Sequence, residues 1–149
     1  MTDEPVTILL VEDDDVDAEA VERNLKRLRI QGPVVRARDG VEALEMLRGT
    51  GGHAALRPPY LLLVDIRMPR LDGIGLVQAI RNDPQLARTV IFMLTTSSSE
   101  RDKSAAYDWH VAGYIVKSST GSEFKPLLAL IESYMMIVTP PPAMAAAQS

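Results

Sequence analysis

Short unbroken apolar runs alternate along this chain with longer stretches whose apolar positions recur every three or four residues. The run VTILLV at 6–11 is continuous and rich in β-branched residues, the pattern of a strand covered on both faces. A helix is predicted over 14–29, where Ala18, Val21, Leu25 and Leu28 share one side and Asp14 or Asp15 is placed to cap the first turn. Gly32-Pro33 ends it, and PVVRA at 33–37 reads as a second strand. After the Asp39-Gly40 turn, residues 41–49 set Val41, Leu44 and Leu47 along one side of a helix closed by Gly49. A Gly- and Pro-rich loop over 50–59 leads into a third strand, YLLLVD at 60–65. The next helix, 73–82, carries Ile74, Val77 and Ile80 and stops before Asp83-Pro84. VIFML at 90–94 is a fourth strand, and Ser99 and Asp102 have the spacing of a capping box for a helix running to Trp109. GYIV at 113–116 is a fifth strand and 123–138 a fifth helix, which leaves TPPPAMAAAQS as an irregular tail.

Five strands alternating with five helices predict an α/β fold in which a parallel sheet is wrapped on both faces. Right-handed crossovers restrict this to a doubly wound topology. Residues 1–138 are expected to form one domain and 139–149 a tail that packs across a dimer interface. With 149 residues, 46% of them apolar and 24% charged, the chain is long enough for one sizeable core and ordinary for a soluble protein. A net charge of −4 lacks the basic excess of nucleic-acid binders. The absence of cysteine excludes disulfides and thiolate metal sites and suits a cytoplasmic location. MTDEPV is not a signal peptide, and no apolar run approaches the ~20 residues that cross a bilayer.

In doubly wound folds, ligands sit beyond the carboxyl ends of the strands. Val11 is followed by Glu12 and Asp13, Val64 by Asp65, Leu94 by Thr95 and Val116 by Lys117. Parallel strands would bring these residues to one edge of the sheet. Three clustered carboxylates repel one another unless a cation relieves them, and a hard, oxygen-liganded ion such as Mg²⁺ suits so few ligands. Aspartate is also a nucleophile toward phosphoryl groups. The pattern therefore reads as Mg²⁺-assisted phosphoryl transfer to a carboxylate, with Lys117 and Thr95 available to the phosphoryl oxygens.

These motifs resemble the receiver domain of bacterial two-component response regulators. The likeness rests on the acidic pair in LLVEDD, the aspartate in LLLVDIRMPRLDG, the threonine in FMLTTSS and the lysine in GYIVKS, and it spans about residues 6–138. It implies a flavodoxin-like sheet of order 2-1-3-4-5 and a signalling protein rather than an enzyme. By position it implies that Asp65 is phosphorylated and that Asp13, Glu12 through water, Asp65 and the backbone carbonyl of Arg67 hold Mg²⁺. Thr95 and Lys117 would bind the phosphoryl group, and Tyr114 matches an aromatic switch that turns inward as Thr95 moves. The Arg67 side chain stands at a position expected to influence dephosphorylation. The LTTS motif and the long loop before strand 3 resemble small stand-alone regulators paired with phytochrome-type sensor histidine kinases. One departure is Ser118, where the family usually has a proline joined by a cis bond. Lys117–Ser118 is expected to be trans, and the positioning of Lys117 is in question.

Asp14 and Asp15 read as a solvated helix start, and His53 and His110 as structural or exposed. In the fifth helix, Phe124, Leu127, Leu128, Ile131, Met135 and Val138 form a core stripe. Leu130, Tyr134 and Ile137 form a second stripe, read as a homodimer surface. Two other functions compete with the signalling reading. One is a receiver-like docking module that is never phosphorylated. The other is a phosphatase of the haloacid-dehalogenase kind, against which Arg67 stands where such enzymes place a second acid.

Overall fold

Side chains along a strand point alternately to opposite faces, and here both faces of the sheet are covered. Leu9, Val11, Leu62, Val64, Ile91 and Met93 point into one apolar layer, and Ile8, Leu10, Leu61, Leu63, Phe92 and Leu94 into the other. This explains why the strands read as unbroken apolar runs.

The computed structural model describes residues 5–27, 32–117 and 129–134. The elements are β1 (Thr7–Val11), α1 (Asp15–Arg27), β2 (Val34–Ala37), α2 (Gly40–Arg48), β3 (Tyr60–Val64), α3 (Gly73–Asn82), β4 (Val90–Thr95), α4 (Glu100–Asp108) and β5 (Gly113–Val116). Residues 129–134 are helical and lie inside the expected fifth helix, here α5. The sheet is parallel throughout, in the order β2-β1-β3-β4-β5. Helix α1 packs on one face with Ile131 of α5, and α2, α3 and α4 pack on the other. The chain is therefore doubly wound as expected.

Local chemistry corrects several details. Asp14 caps α1, its Oδ1 accepting from the Asp17 N–H at 2.9 Å, so Asp15 is the first helical residue. In α2 the buried positions are Gly40, Ala43 and Leu47, with Val41 and Leu44 only half-buried, because the small Ala43 lets the helix approach the sheet. In α3, Leu76 is buried beside Val77 and Ile80. Strand β4 gains Thr95, which pairs with Val116. The capping box of α4 forms by half. Ser99 Oγ accepts from the Asp102 N–H at 3.3 Å, but the Asp102 carboxylate accepts instead from the Ser97 hydroxyl at 2.6 Å.

The loop between β3 and α3 is stapled to the start of α2. Arg70 donates through Nε and Nη2 to both carboxylate oxygens of Asp39, at 2.7 and 3.0 Å, and the Gly40 N–H donates to the Leu71 carbonyl at 3.1 Å. Asp39 also caps α2 through the Glu42 N–H. Burial would push its carboxyl up, but the Arg70 guanidinium and the helix N–H groups hold it below the usual value. Arg70 sits at a φ of 65°, a left-handed conformation that side chains rarely adopt, and its two hydrogen bonds to Asp39 offset that strain. At the far end of the loop, Gly73 donates to the Ile66 carbonyl at 2.7 Å, and a Cβ there would stand 2.8 Å from the Ile66 Cα. Only glycine allows α3 to start this close to Asp65.

Candidate functional site

The parallel register sets the ends of β1, β3, β4 and β5 along one edge. Val11 pairs with Val64, and the Asp65 N–H donates to the Val11 carbonyl at 3.0 Å, which places the residues following both strands side by side. Arg36 fixes the backbone at Glu12, donating through Nε and Nη2 to its carbonyl at 3.0 and 2.9 Å. One carboxylate oxygen from each of Glu12, Asp13 and Asp65 can be chosen so that all three lie within 4.8 Å of one another. Glu12 and Asp65 are buried and Asp13 is exposed.

Lys117 enters this cluster from the end of β5 and is itself buried. Its Nζ stands 2.6 Å from Glu12 Oε1, 2.7 Å from Asp17 Oδ2 and 3.6 Å from Asp65 Oδ2. The doubt raised by Ser118 is thus answered for the lysine, whose ammonium reaches the acidic group. The Lys117–Ser118 bond lies outside the described residues.

Burial pushes the Glu12 carboxyl up to about 7, against the lowering pull of the Lys117 hydrogen bond and with a further push from Asp65. For Lys117, burial acts downward, but its hydrogen bonds to Asp17 and Glu12 and the charge of Asp65 outweigh it and hold the ammonium above its ordinary value. The Lys117 shift expresses the carboxylates gathered around its ammonium, and the Glu12 shift chiefly its burial. Among the described residues, Asp65 Oδ1 is the buried side-chain oxygen without a hydrogen-bond partner. An orphaned carboxylate oxygen beside two further carboxylates fits a hard divalent cation, which takes oxygen ligands and cancels their repulsion. Thiolate and imidazole ligands are absent from this group.

Thr95 is fully buried at the end of β4, where its Oγ1 accepts from the Ser97 N–H at 3.1 Å. Tyr114 is half-buried on β5 and its hydroxyl donates to the Ser97 carbonyl at 2.8 Å. The two residues read as a switching pair therefore meet on one residue, Ser97. Arg67 points out of the site. Its side chain is 72% exposed, with Nη2 3.6 Å from Asp102 Oδ2 at the first turn of α4.

The structure thus brings Glu12, Asp13, Asp65 and Lys117 into one group, with Thr95 on the same edge. Sequence reasoning missed Asp17 and Ser97, and read Asp102 only as a helix cap. Asp17 carried a weak signal, as an acidic residue in the first turn of the helix that follows the acidic pair. Of the stripe read as a dimer surface, Leu130 is 53% exposed, but the Tyr134 ring packs edge-on against Phe92 at 5.4 Å, so Tyr134 belongs in part to the core. Ile137 lies outside the described residues.

The family model for the response regulator receiver domain matches residues 8–129. The chain is 34% identical to the response regulator Rcp1 of Synechocystis sp. over 146 residues, covering 96% of this chain and 99% of that one. The phosphorylated cyanobacterial phytochrome response regulator RcpA superposes with a TM-score of 0.84 at 34% identity, over 93% of this chain and 100% of its own. The Mn²⁺-bound form of Rcp1 does so with a TM-score of 0.84 at 35% identity and the same coverage.

Proposed function

The chain belongs to the response regulator receiver domain family, and from that membership we propose that it accepts a phosphoryl group on Asp65 from a partner sensor histidine kinase. Proteins of this family are signalling proteins rather than enzymes in the ordinary sense. The observation that carries the reading is Asp65 itself, whose buried Oδ1 has no hydrogen-bond partner, grouped with two further carboxylates and with Oδ2 3.6 Å from the Lys117 ammonium.

In the proposed reaction an Asp65 carboxylate oxygen attacks phosphorus. The bond from phosphorus to the kinase imidazole nitrogen breaks, and that nitrogen keeps the electron pair. The acyl phosphate carries roughly two more negative charges into a site already overcharged. Glu12, Asp13, Asp65 and the Arg67 backbone carbonyl are the proposed holders of Mg²⁺, which supplies positive charge for the transferring oxygens. The likeness to Mn²⁺-bound Rcp1 supports a divalent ion here. Lys117 takes one phosphoryl oxygen. Thr95 takes another once its hydroxyl turns away from the Ser97 N–H, and Tyr114 follows. Self-phosphorylation from small donors and self-dephosphorylation belong to the same proposal.

The likeness to RcpA supports a phytochrome-type kinase as the partner. A cytoplasmic location follows from that partnership, and no helix among the described residues is long and apolar enough to cross a membrane.

Acetyl phosphate tests the chemistry. We expect a gain of one phosphoryl group by intact mass, dependent on Mg²⁺. No gain with or without Mg²⁺ would leave a docking module as the better account.

The homodimer through α5 is proposed from the second apolar stripe of that helix, of which Leu130 is exposed. Sedimentation at micromolar concentration is expected to show a dimer that Leu130→Glu shifts to monomer, and a monomeric unmodified chain would end this part of the proposal.

A further inference from the structure

Among the described residues, three carboxylates surround the Lys117 ammonium, but not equally. Glu12 and Asp17 lie at hydrogen-bonding distance, 2.6 and 2.7 Å, whereas Asp65 at 3.6 Å is reached through charge alone. Asp17 lies in the first turn of α1, outside the group of Glu12, Asp13 and Asp65. Glu12 is almost wholly buried, while the Asp17 side chain is 32% exposed.

These differences decide which partner yields. To draw close to an oxygen on phosphorylated Asp65, the Lys117 ammonium shifts toward that residue and lengthens its bond to Glu12 or to Asp17. Abandoning Glu12 leaves a carboxylate that water does not reach, with only Mg²⁺ to compensate its charge. Abandoning Asp17 costs less, because water can solvate the released carboxylate.

We infer that Asp17 is a positioning residue for Lys117: it draws the ammonium toward α1 in the unphosphorylated protein and releases it when Asp65 is occupied. The inference rests on the phosphoryl-acceptor reading of Asp65. A contact made in only one of two states sets their balance. The Asp17–Lys117 bond therefore opposes phosphoryl binding, and its loss favours the occupied state.

The test measures the affinity for beryllium trifluoride, which mimics a phosphoryl group on a carboxylate, at saturating Mg²⁺. Asp17→Asn keeps the size of the side chain and removes its charge, and we expect it to tighten binding by about two- to fivefold, the upper part of the range for a partly exposed charged pair. In a Lys117→Gln background the same substitution is expected to change nothing. Asp14→Asn, which removes a neighbouring charge but still caps α1, is expected to have less than a twofold effect. Melting curves in Mg²⁺ establish that each variant is folded.

An unchanged or weaker affinity in Asp17→Asn overturns the inference. So does an equal gain without Lys117, or one matched by Asp14→Asn, since either would reflect simple relief of charge. If the unmodified chain binds no beryllium trifluoride at all, the acceptor reading of Asp65 fails and this inference fails with it. Binding by the unmodified chain with no gain in Asp17→Asn overturns the role of Asp17 alone.

Discussion

Asp65→Asn should take up no phosphoryl group from acetyl phosphate in Mg²⁺, and it should melt at a higher temperature than the unmodified chain when no metal is present. The first effect is a complete loss, because an amide nitrogen or carbonyl lacks the nucleophilicity of a carboxylate toward phosphorus. The second has a different origin. Asp65 adds charge to a site where burial has already pushed Glu12 up to about 7, and Oδ1 has no compensating donor among the described residues. Removing that charge relieves a repulsion, while Lys117 keeps its short bonds to Glu12 and Asp17. Single stabilising substitutions, optimised charges among them, commonly yield about 0.5–2 kcal/mol, and each kcal/mol corresponds to a rise of about 2–4 °C for a domain of this size. Intact mass and a thermal melt read the two effects from one sample. Retained labelling would move the acceptor to another carboxylate, and a lowered melting temperature would refute the account of stored repulsion.

Lys117→Gln should have the opposite effect on stability. It removes the cation paired with buried Glu12 and nearby Asp65, and stranding buried charges in this way costs about 3–5 kcal/mol. Glu12 lessens the cost by holding its proton more tightly, so about 3 kcal/mol is expected near neutral pH. The direction of the pH dependence follows. A carboxyl raised in the folded protein leaves that state with more bound protons than the unfolded chain between the ordinary 4.5 and its folded value. Stability then falls as pH rises through that window. The variant, with Glu12 raised further, should lose more between pH 6 and 8 than the unmodified chain. Lysine stabilisation is fully present in the unmodified protein below its ordinary 10.5 and does not mask this. Mg²⁺ binds only the folded site and should restore much of the difference. Denaturant melts at pH 6 and 8, with and without Mg²⁺, check these effects together. Equal stability of the two chains without metal would contradict the ion-pair geometry.

The sheet was legible because a strand buried on both faces carries its signal in every residue, as YLLLV does. The helices were legible by period, but their faces less so. Ala43 lies closest to the sheet in α2 because it is small, and a search for large apolar residues passes over it. The acidic group and Thr95 were legible through strand ends, where topology alone places residues. The partners of Lys117 were not, since Asp17 lies 100 residues away in the chain and the pairing depends on where a long side chain comes to rest. Likewise Asp102 was read as the partner of the Ser99 N–H, and nothing in the spacing shows that the Ser97 hydroxyl would take its place.

Ser97 carries a consequence of its own. Its N–H is held by Thr95 inside the protein and its carbonyl by Tyr114 on β5, so two side chains grip one short length of chain from opposite directions. If the phosphoryl group draws Thr95 away, whatever rests on Tyr114 feels the change. Thermodynamic reciprocity requires the converse by the same factor. A partner that docks better once Tyr114 has left Ser97 must also favour the phosphorylated state at equilibrium. The listener, on this account, helps to set how much of the signal is present.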